Sequence, residues 1–389
     1  MSGLPETAVS YGAGRVPVSD HPVADHSEFL NTPESFRRYL DEVGEFTGAW
    51  VGLDTEADSL HSYETKLCLL QFCCHRGLAV IDPLSVDRND LEEFVDRLDR
   101  ADAVWMHGAD YDMSLFRKTF GRVPATIWDT QTAARLVGAE AFGLAALLEK
   151  EFGIVLSKTS QKADWGKRPL TEKMLAYAFD DVRYLMKLAE IYAARLHESG
   201  RWDWFEESCE AARRSALERD ERSSEDAWRI TGWGRLDPRG MSFLRGLWQW
   251  RDGESQRLDR PSFKVLGNQE LLAMAERLQS GESITPPRYL RPGQAGRLQK
   301  SIEVTRKEPK EDWPPRRFGG SSQRLQINEP TLNRLKAKRD AVASSLGIDP
   351  TLIAPRAVLE KLASSTIPAD EKENLLLRWQ QRVFDFRED

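Results

Sequence analysis

Three short segments of this chain place acids where they could do chemistry together. Val51-Gly52-Leu53-Asp54-Thr55-Glu56 ends an apolar run with carboxylates at i and i+2. On a strand, such a pair shares one face. Two acids side by side repel unless something positive lies between them. Taken alone, a solvated pair at a strand end is the plainer reading of this segment. His107-Gly108-Ala109-Asp110-Tyr111-Asp112 follows the strand-like Val104-Trp105-Met106. Acids at a helix start are ordinary caps, and Asp110 fits that role. Asp112 lies deeper, within the first helical turns, where it can project toward the sheet edge. His107 reads as a packing or hydrogen-bonding residue at the strand end in preference to a base or ligand. In Tyr177-Ala178-Phe179-Asp180-Asp181, Tyr177 and Asp181 are one turn apart on one helix face. Leu185 and Leu188 continue that face, so it turns toward the protein, whereas Asp180 is rotated about 100° toward solvent. A buried carboxylate must be paired, neutral or bound to metal. Four converging acids are costly without cations, and Mg²⁺ or Mn²⁺ matches oxygen ligands. Two such ions about 4 Å apart can hold both the attacking and leaving oxygens of a displacement at phosphorus.

The elements that must position these acids follow from periodicity. A helix begins near Thr32-Pro33-Glu34 and carries Phe36, Tyr39, Leu40 and Val43 on one face. Three strand-like runs follow, residues 49–54, 66–73 and 78–81, with connections short enough for an antiparallel meander. The pattern then alternates. Helix 91–98 leads to strand 103–106, helix 110–120 and a short strand near Ile127-Trp128. Helices are expected near 130–137 and 144–152, and a long one over 171–197. This predicts an α/β domain with a mixed sheet. From about Glu225 the chain reads as helical. Phe243 through Trp250-Arg251-Asp252 to Leu272 weakly resembles Leu332 through Lys338-Arg339-Asp340 to Leu362, suggesting two related helical units. The expected division is a loose tail at 1–27, the α/β domain at 28–208 and a helical linker at 209–226. A first helical domain at 227–305, a basic Pro/Gly-rich linker at 306–322 and a second helical domain at 323–389 complete it.

The bulk composition allows such a chain. No apolar run approaches the roughly 20 residues that span a bilayer, and no signal peptide is read at the start. Cys68, Cys73, Cys74 and Cys209 form no CxxC pair, so a zinc cage or disulfide framework is not expected, and a cytosolic setting fits. The net charge is −7, yet residues 288–339 hold 14 Lys+Arg against 5 Asp+Glu. A basic segment on an acidic body can hold a polyanion by counterion release, or it can be a solvated linker.

In order and spacing, the three acidic segments resemble the exonuclease motifs of the DEDD superfamily, and among its members the ribonuclease D family. Gln71-Phe72, Ile81-Asp82-Pro83, Asp129-Thr130 and residues 164–170 (DWGKRPL) fit the same pattern, which covers about Glu34 to Leu196. Trp250-Arg251 and Arg260-Pro261 resemble the small helical HRDC nucleic-acid-binding module, with a divergent second copy from about Gln323. The resemblance implies an RNase H-like fold followed by two all-α HRDC-type domains. It implies two divalent ions bridged by Asp54. Glu56 and Asp181 would complete one shell, Asp112 would hold the second ion, and Tyr177 would orient and help deprotonate the attacking water. Tyr177 marks the tyrosine branch; His107 to Asp112 falls at the second motif and is not the histidine equivalent. Lys158, Trp165, Arg168 and Arg251 are candidate RNA contacts, with loop packing an equal reading for Trp165 and Arg168. The implied activity is 3′→5′ hydrolysis of single-stranded RNA ends to 5′-mononucleotides by a cytoplasmic protein, with transfer RNA precursors as substrates. No membrane and no obligate partner are expected, and the protein should be monomeric. A DNA exonuclease of the RecQ-helicase-associated type and a non-catalytic RNA-binding protein remain alternatives. The second is disfavoured because no acid of the set is missing.

Overall fold

The apolar run before Asp54 becomes the central strand of a six-stranded mixed sheet in the computed structural model, which describes residues 26–157, 159–218, 226–315 and 325–387. The α/β elements are β1 (Ser27–Leu30), α1 (Pro33–Val43), β2 (Trp50–Ala57), β3 (Leu67–Cys74), β4 (Gly77–Ile81), α2 (Arg88–Asp99) and β5 (Ala103–Met106). They continue with α3 (Asp110–Phe120), β6 (Ile127–Asp129), α4 (Thr130–Leu136), α5 (Leu144–Phe152), α6 (Glu172–Arg183), α7 (Leu185–Glu198) and α8 (Trp202–Glu218). The strand order is β1-β4-β3-β2-β5-β6. The meander β2-β3-β4 is antiparallel, while β5 joins β2, β6 joins β5 and β1 joins β4 in parallel. β1 was not anticipated: four residues at a sheet edge carry too little pattern. One sheet face packs Val51, Leu53, Leu70 and Phe72 against Phe36, Leu40, Phe94 and Phe116.

Two expectations need correcting. The long helix expected over 171–197 is two helices, broken at Tyr184 (φ −110°, ψ 1°). No Gly or Pro marks the break; tertiary packing sets it. α6 lies over β3 and β4, and α7 over β2, β5 and α4. Gly52 permits this, because a Cβ there would stand 2.4 Å from Cys73 Sγ and 3.2 Å from Leu185 Cδ2. Nor is 209–226 a separate linker at its start, since α8 runs unbroken to Glu218 and buries Cys209 and Ala216 in the α/β domain.

The first helical unit comprises α9 (Pro238–Leu258), α10 (Ser262–Val265), α11 (Asn268–Gln279) and α12 (Pro292–Arg306) around a core of its own. Part of the expected 306–322 linker belongs to it. Arg245 binds Glu308 and the Asp312 carbonyl, and the Trp313 indole N–H donates to the Glu308 carbonyl. The second unit comprises α13 (Glu329–Leu346), α14 (Pro350–Ile353), α15 (Arg356–Leu362), α16 (Ala369–Glu373) and α17 (Arg378–Val383). The weak repeat seen in sequence has a physical counterpart. Arg251 Nη1 donates to the Leu266 carbonyl (3.0 Å) just past α10, and Arg339 Nη1 donates to the Ala354 carbonyl (2.8 Å) just past α14. Each buried arginine satisfies a helix-end carbonyl that would otherwise be orphaned. The second unit is not self-contained, however. Leu332, Leu335, Trp379 and Phe384 share one core with Trp105, Ala133, Leu188 and Phe205. Trp379 stacks on Trp204 at 4.8 Å, and the Glu207 carboxylate accepts from the Arg378 and Trp379 backbone N–H groups.

Candidate active site

Register explains how the acids meet. β2 and β5 pair only from Trp50↔Ala103 to Gly52↔Trp105. β2 then runs on beside β3 as far as Ala57, so Asp54, Thr55 and Glu56 extend past the end of β5. The chain leaving β5 turns at His107-Gly108 (Gly108 φ 70°) into α3, which carries Asp112 to that strand end. Crevices beyond the ends of parallel strands, where strand order changes direction, are the usual binding places of open α/β sheets. A cavity of about 580 Å³ opens there. Asp54, Glu56, Asp112, Tyr177 and Asp181 line it, with His107, Tyr111, Gln131 and Leu185. All five residues expected to be catalytic therefore face one space. An adjoining cavity of about 360 Å³ shares Tyr177 and Asp181 and adds Lys173 and Asp180.

The electrostatics fit cation binding. Burial, then the charges of Asp112, Asp181 and Glu56, push the Asp54 carboxyl well above its usual range. Burial and the charges of Asp181 and Asp112 raise Glu56 to about 9. Burial raises Asp181 to about 7 despite its hydrogen bond with Tyr177, and raises Asp112 to about 6. Each acid is held where its charge is unfavourable until positive charge arrives. Among the described residues, no group of three or more His, Cys, Asp or Glu is already set to hold an ion unaided. The site is an open ring of acids, which suits ions that keep waters and substrate oxygens in their shells.

Several neighbours were not legible in sequence. The Thr55 hydroxyl donates to Asp112 Oδ1, anchoring the one acid that comes from the far side of the sheet. His107 Nδ1 lies 2.9 Å from Thr130 Oγ1, which itself donates to the Met106 carbonyl (3.0 Å). The Thr130 oxygen is therefore the acceptor, Nδ1 carries the proton, and burial lowers the ring's pKa. His107 is a hydrogen-bonded wall residue, as expected. Asp110 is the first helical residue and not the cap, which falls at Ala109. Asp180 pairs with Arg183 at 3.1 Å.

The nucleic-acid contacts expected at Trp165, Arg168 and Arg251 are corrected. Trp165 is 1% exposed, packed against Cys68, Val80 and Ala178, and offers no face for a base. Arg168 clamps buried Asp82 through Nε (2.6 Å) and Nη2 (2.7 Å), and also donates to the Trp165 and Cys68 carbonyls. Arg251 is committed to Leu266 and to Asn268 Oδ1. Lys158 lies outside the described residues. Exposed Tyr111 and Lys173 line the two cavities.

Comparison with known proteins agrees with this fold. Residues 28–196 match the 3′-5′ exonuclease domain family, and residues 241–282 match the HRDC domain. Ribonuclease D of Pseudomonas paraeruginosa is 29% identical over 330 residues, 83% of this chain and 86% of that protein. Ribonuclease D of Xanthomonas oryzae is 33% identical over 57% of this chain and 61% of its own length. The crystal structure of Escherichia coli RNase D superposes with a TM-score of 0.66 at 22% identity, covering 94% of this chain and all of that one. The fold and the ring of acids make this a 3′-5′ exonuclease of the DEDD class. With the HRDC domain behind it and relatives that span both, the chain is similar to ribonuclease D over both regions.

Proposed function

We propose that this chain hydrolyses single-stranded 3′ ends of RNA in the cytoplasm, one nucleotide at a time, releasing 5′-monophosphates, and that transfer RNA precursors are among its substrates. One observation carries the chemistry: four carboxylates from β2, α3 and α6 meet Tyr177 around a single cavity. Asp54 would bridge two ions, Mg²⁺ or Mn²⁺, with Glu56 and Asp181 completing one shell and Asp112 the other. Such ions supply Lewis-acid stabilisation at phosphorus and lower the pKa of water. Tyr177 has a narrower part than base. Burial and the nearby acids hold its phenol above the ordinary value near 10, so it keeps its proton and orients the nucleophile. Tyr111 is placed to stack on a base and Lys173 to meet phosphate. The reading of RNA rests on the relatives' names and on the solved homologue, described as an exoribonuclease involved in structured RNA processing. The helical units are read as an HRDC domain and a divergent second copy.

The test is a 3′-labelled RNA beside a matched DNA and a 3′-blocked RNA. Asp54→Asn should nearly abolish turnover while leaving the fold intact; a variant with most of its activity overturns the site. Faster removal from DNA than from RNA overturns the substrate and favours the DNA exonuclease.

A further inference from the structure

Gln71 is fully buried, and neither its amide nitrogen nor its amide oxygen has a hydrogen-bond partner among the described residues. Buried amides are almost always paired, so a bare one calls for a physical reason. Its position supplies one. Gln71 stands directly opposite Asp54 in the antiparallel β2–β3 pair, and opposite residues share a sheet face with Cβ atoms about 5 Å apart. On β3, its same-face neighbours Leu69 and Cys73 pack beneath Ala178 and Val182 of α6. Gln71 therefore lies under the helix that carries Asp181, beside the strand residue Asp54, on the protein side of the cavity that both acids line. The charges acting on the Asp54 carboxyl are those of Asp112, Asp181 and Glu56, all negative.

We propose that Gln71 is a positioning residue for the metal site, its Nε2 donating to the Asp54 carboxylate once that carboxylate has turned to its ions. The inference rests on the carboxylate reading of the site and goes beyond it. A ligand oxygen fixed from behind is aimed at the ion, and such supporting hydrogen bonds typically change metal affinity 10–100-fold. A merely structural glutamine has a different signature. Replacing an unpartnered buried amide with an apolar side chain of similar length would then leave metal binding untouched and hold or raise stability.

The experiment uses the full chain. Mn²⁺ is titrated calorimetrically into wild type and Gln71→Met, and both are melted without metal. The expected result is a Kd for Mn²⁺ weakened about 10–100-fold in the variant, with a metal-free melting temperature equal to or above wild type. Equal Kd values overturn the assignment. Wild type that takes up no Mn²⁺ overturns the carboxylate site and this inference with it. A structure of wild type loaded with Mg²⁺ decides the point without any variant. Gln71 Nε2 within hydrogen-bond distance of Asp54 supports the role, and a Gln71 amide still without contact to that carboxylate refutes it.

Discussion

Asp112→Asn should stabilise the metal-free protein at neutral pH and destabilise its metal-loaded form relative to wild type. Asp112 is 6% exposed, and burial sets its folded value at about 6 against an ordinary 3.8. A folded value above the unfolded one means that the fold favours the protonated acid. The associated stability is present below 3.8 and is lost as pH rises through 6. At about 1.4 kcal/mol per unit, the loss is about 3 kcal/mol by pH 8. Asparagine keeps the shape, and its amide oxygen can still accept from Thr55, but it never ionises. Comparing the two proteins cancels the opposing contributions of Glu93, Glu151 and Glu254, whose carboxyls arginines hold low. Without metal the two should melt together near pH 4. At pH 8 the variant should melt higher by about 6–12 °C, at about 2–4 °C per kcal/mol for a domain of this size. Saturating Mn²⁺ should reverse the order, because wild type gains binding free energy that the variant largely lacks. The assay is thermal melting with and without chelator across that pH range. A variant that melts with wild type at pH 8 without metal, or gains as much from Mn²⁺, refutes the reasoning.

Thr55→Val should leave the buried Asp112 carboxylate unanchored, lowering kcat about tenfold and costing about 1–3 kcal/mol of stability, the scale of a lost hydrogen bond to a buried acceptor; steady-state kinetics on labelled RNA and thermal melting read the two. Arg168→Ala leaves Asp82 buried without its cation and should cost about 3–5 kcal/mol in urea unfolding. The folded fraction should bind RNA as wild type does, and weakened binding at unchanged stability would restore Arg168 as a nucleic-acid contact. The Tyr63 hydroxyl lies 3.0 Å from both carboxylate oxygens of Asp252 in α9. Tyr63→Phe should therefore loosen the docking of the first helical unit by about 1–3 kcal/mol, seen as faster proteolysis between residues 226 and 237.

What could be read in advance depended on whether local pattern or distant contact decided the outcome. β3 and β5 carry apolar runs long enough to declare themselves, and α3 and α6 announce their faces by spacing. The acids were legible because chemistry demands those residue types together and their order is specific. The break at Tyr184 was not legible, since it answers to Gly52 and the strands beneath and not to any helix breaker. Trp165 and Arg168 stayed open between nucleic-acid contact and loop packing because an aromatic beside a cation looks the same in sequence whether it meets a base or a neighbour. Asp82, 86 residues away, decides for Arg168. Thr55 gave no signal because its partner is 57 residues away.

The shared core of the second helical unit makes the path of the chain a closed circuit. The chain leaves the α/β domain through α8, builds the first helical unit, and returns through α13 to pack Trp379 on Trp204 of that same α8. The first unit is thus leashed at both ends, with Tyr63 as a third mooring. A single nick between residues 315 and 325 would not release it, because it stays joined to α8, while the second unit stays held through Trp379. A leash at both ends also sets a high, nearly fixed local concentration of the helical unit beside the α/β domain, independent of how dilute the protein becomes.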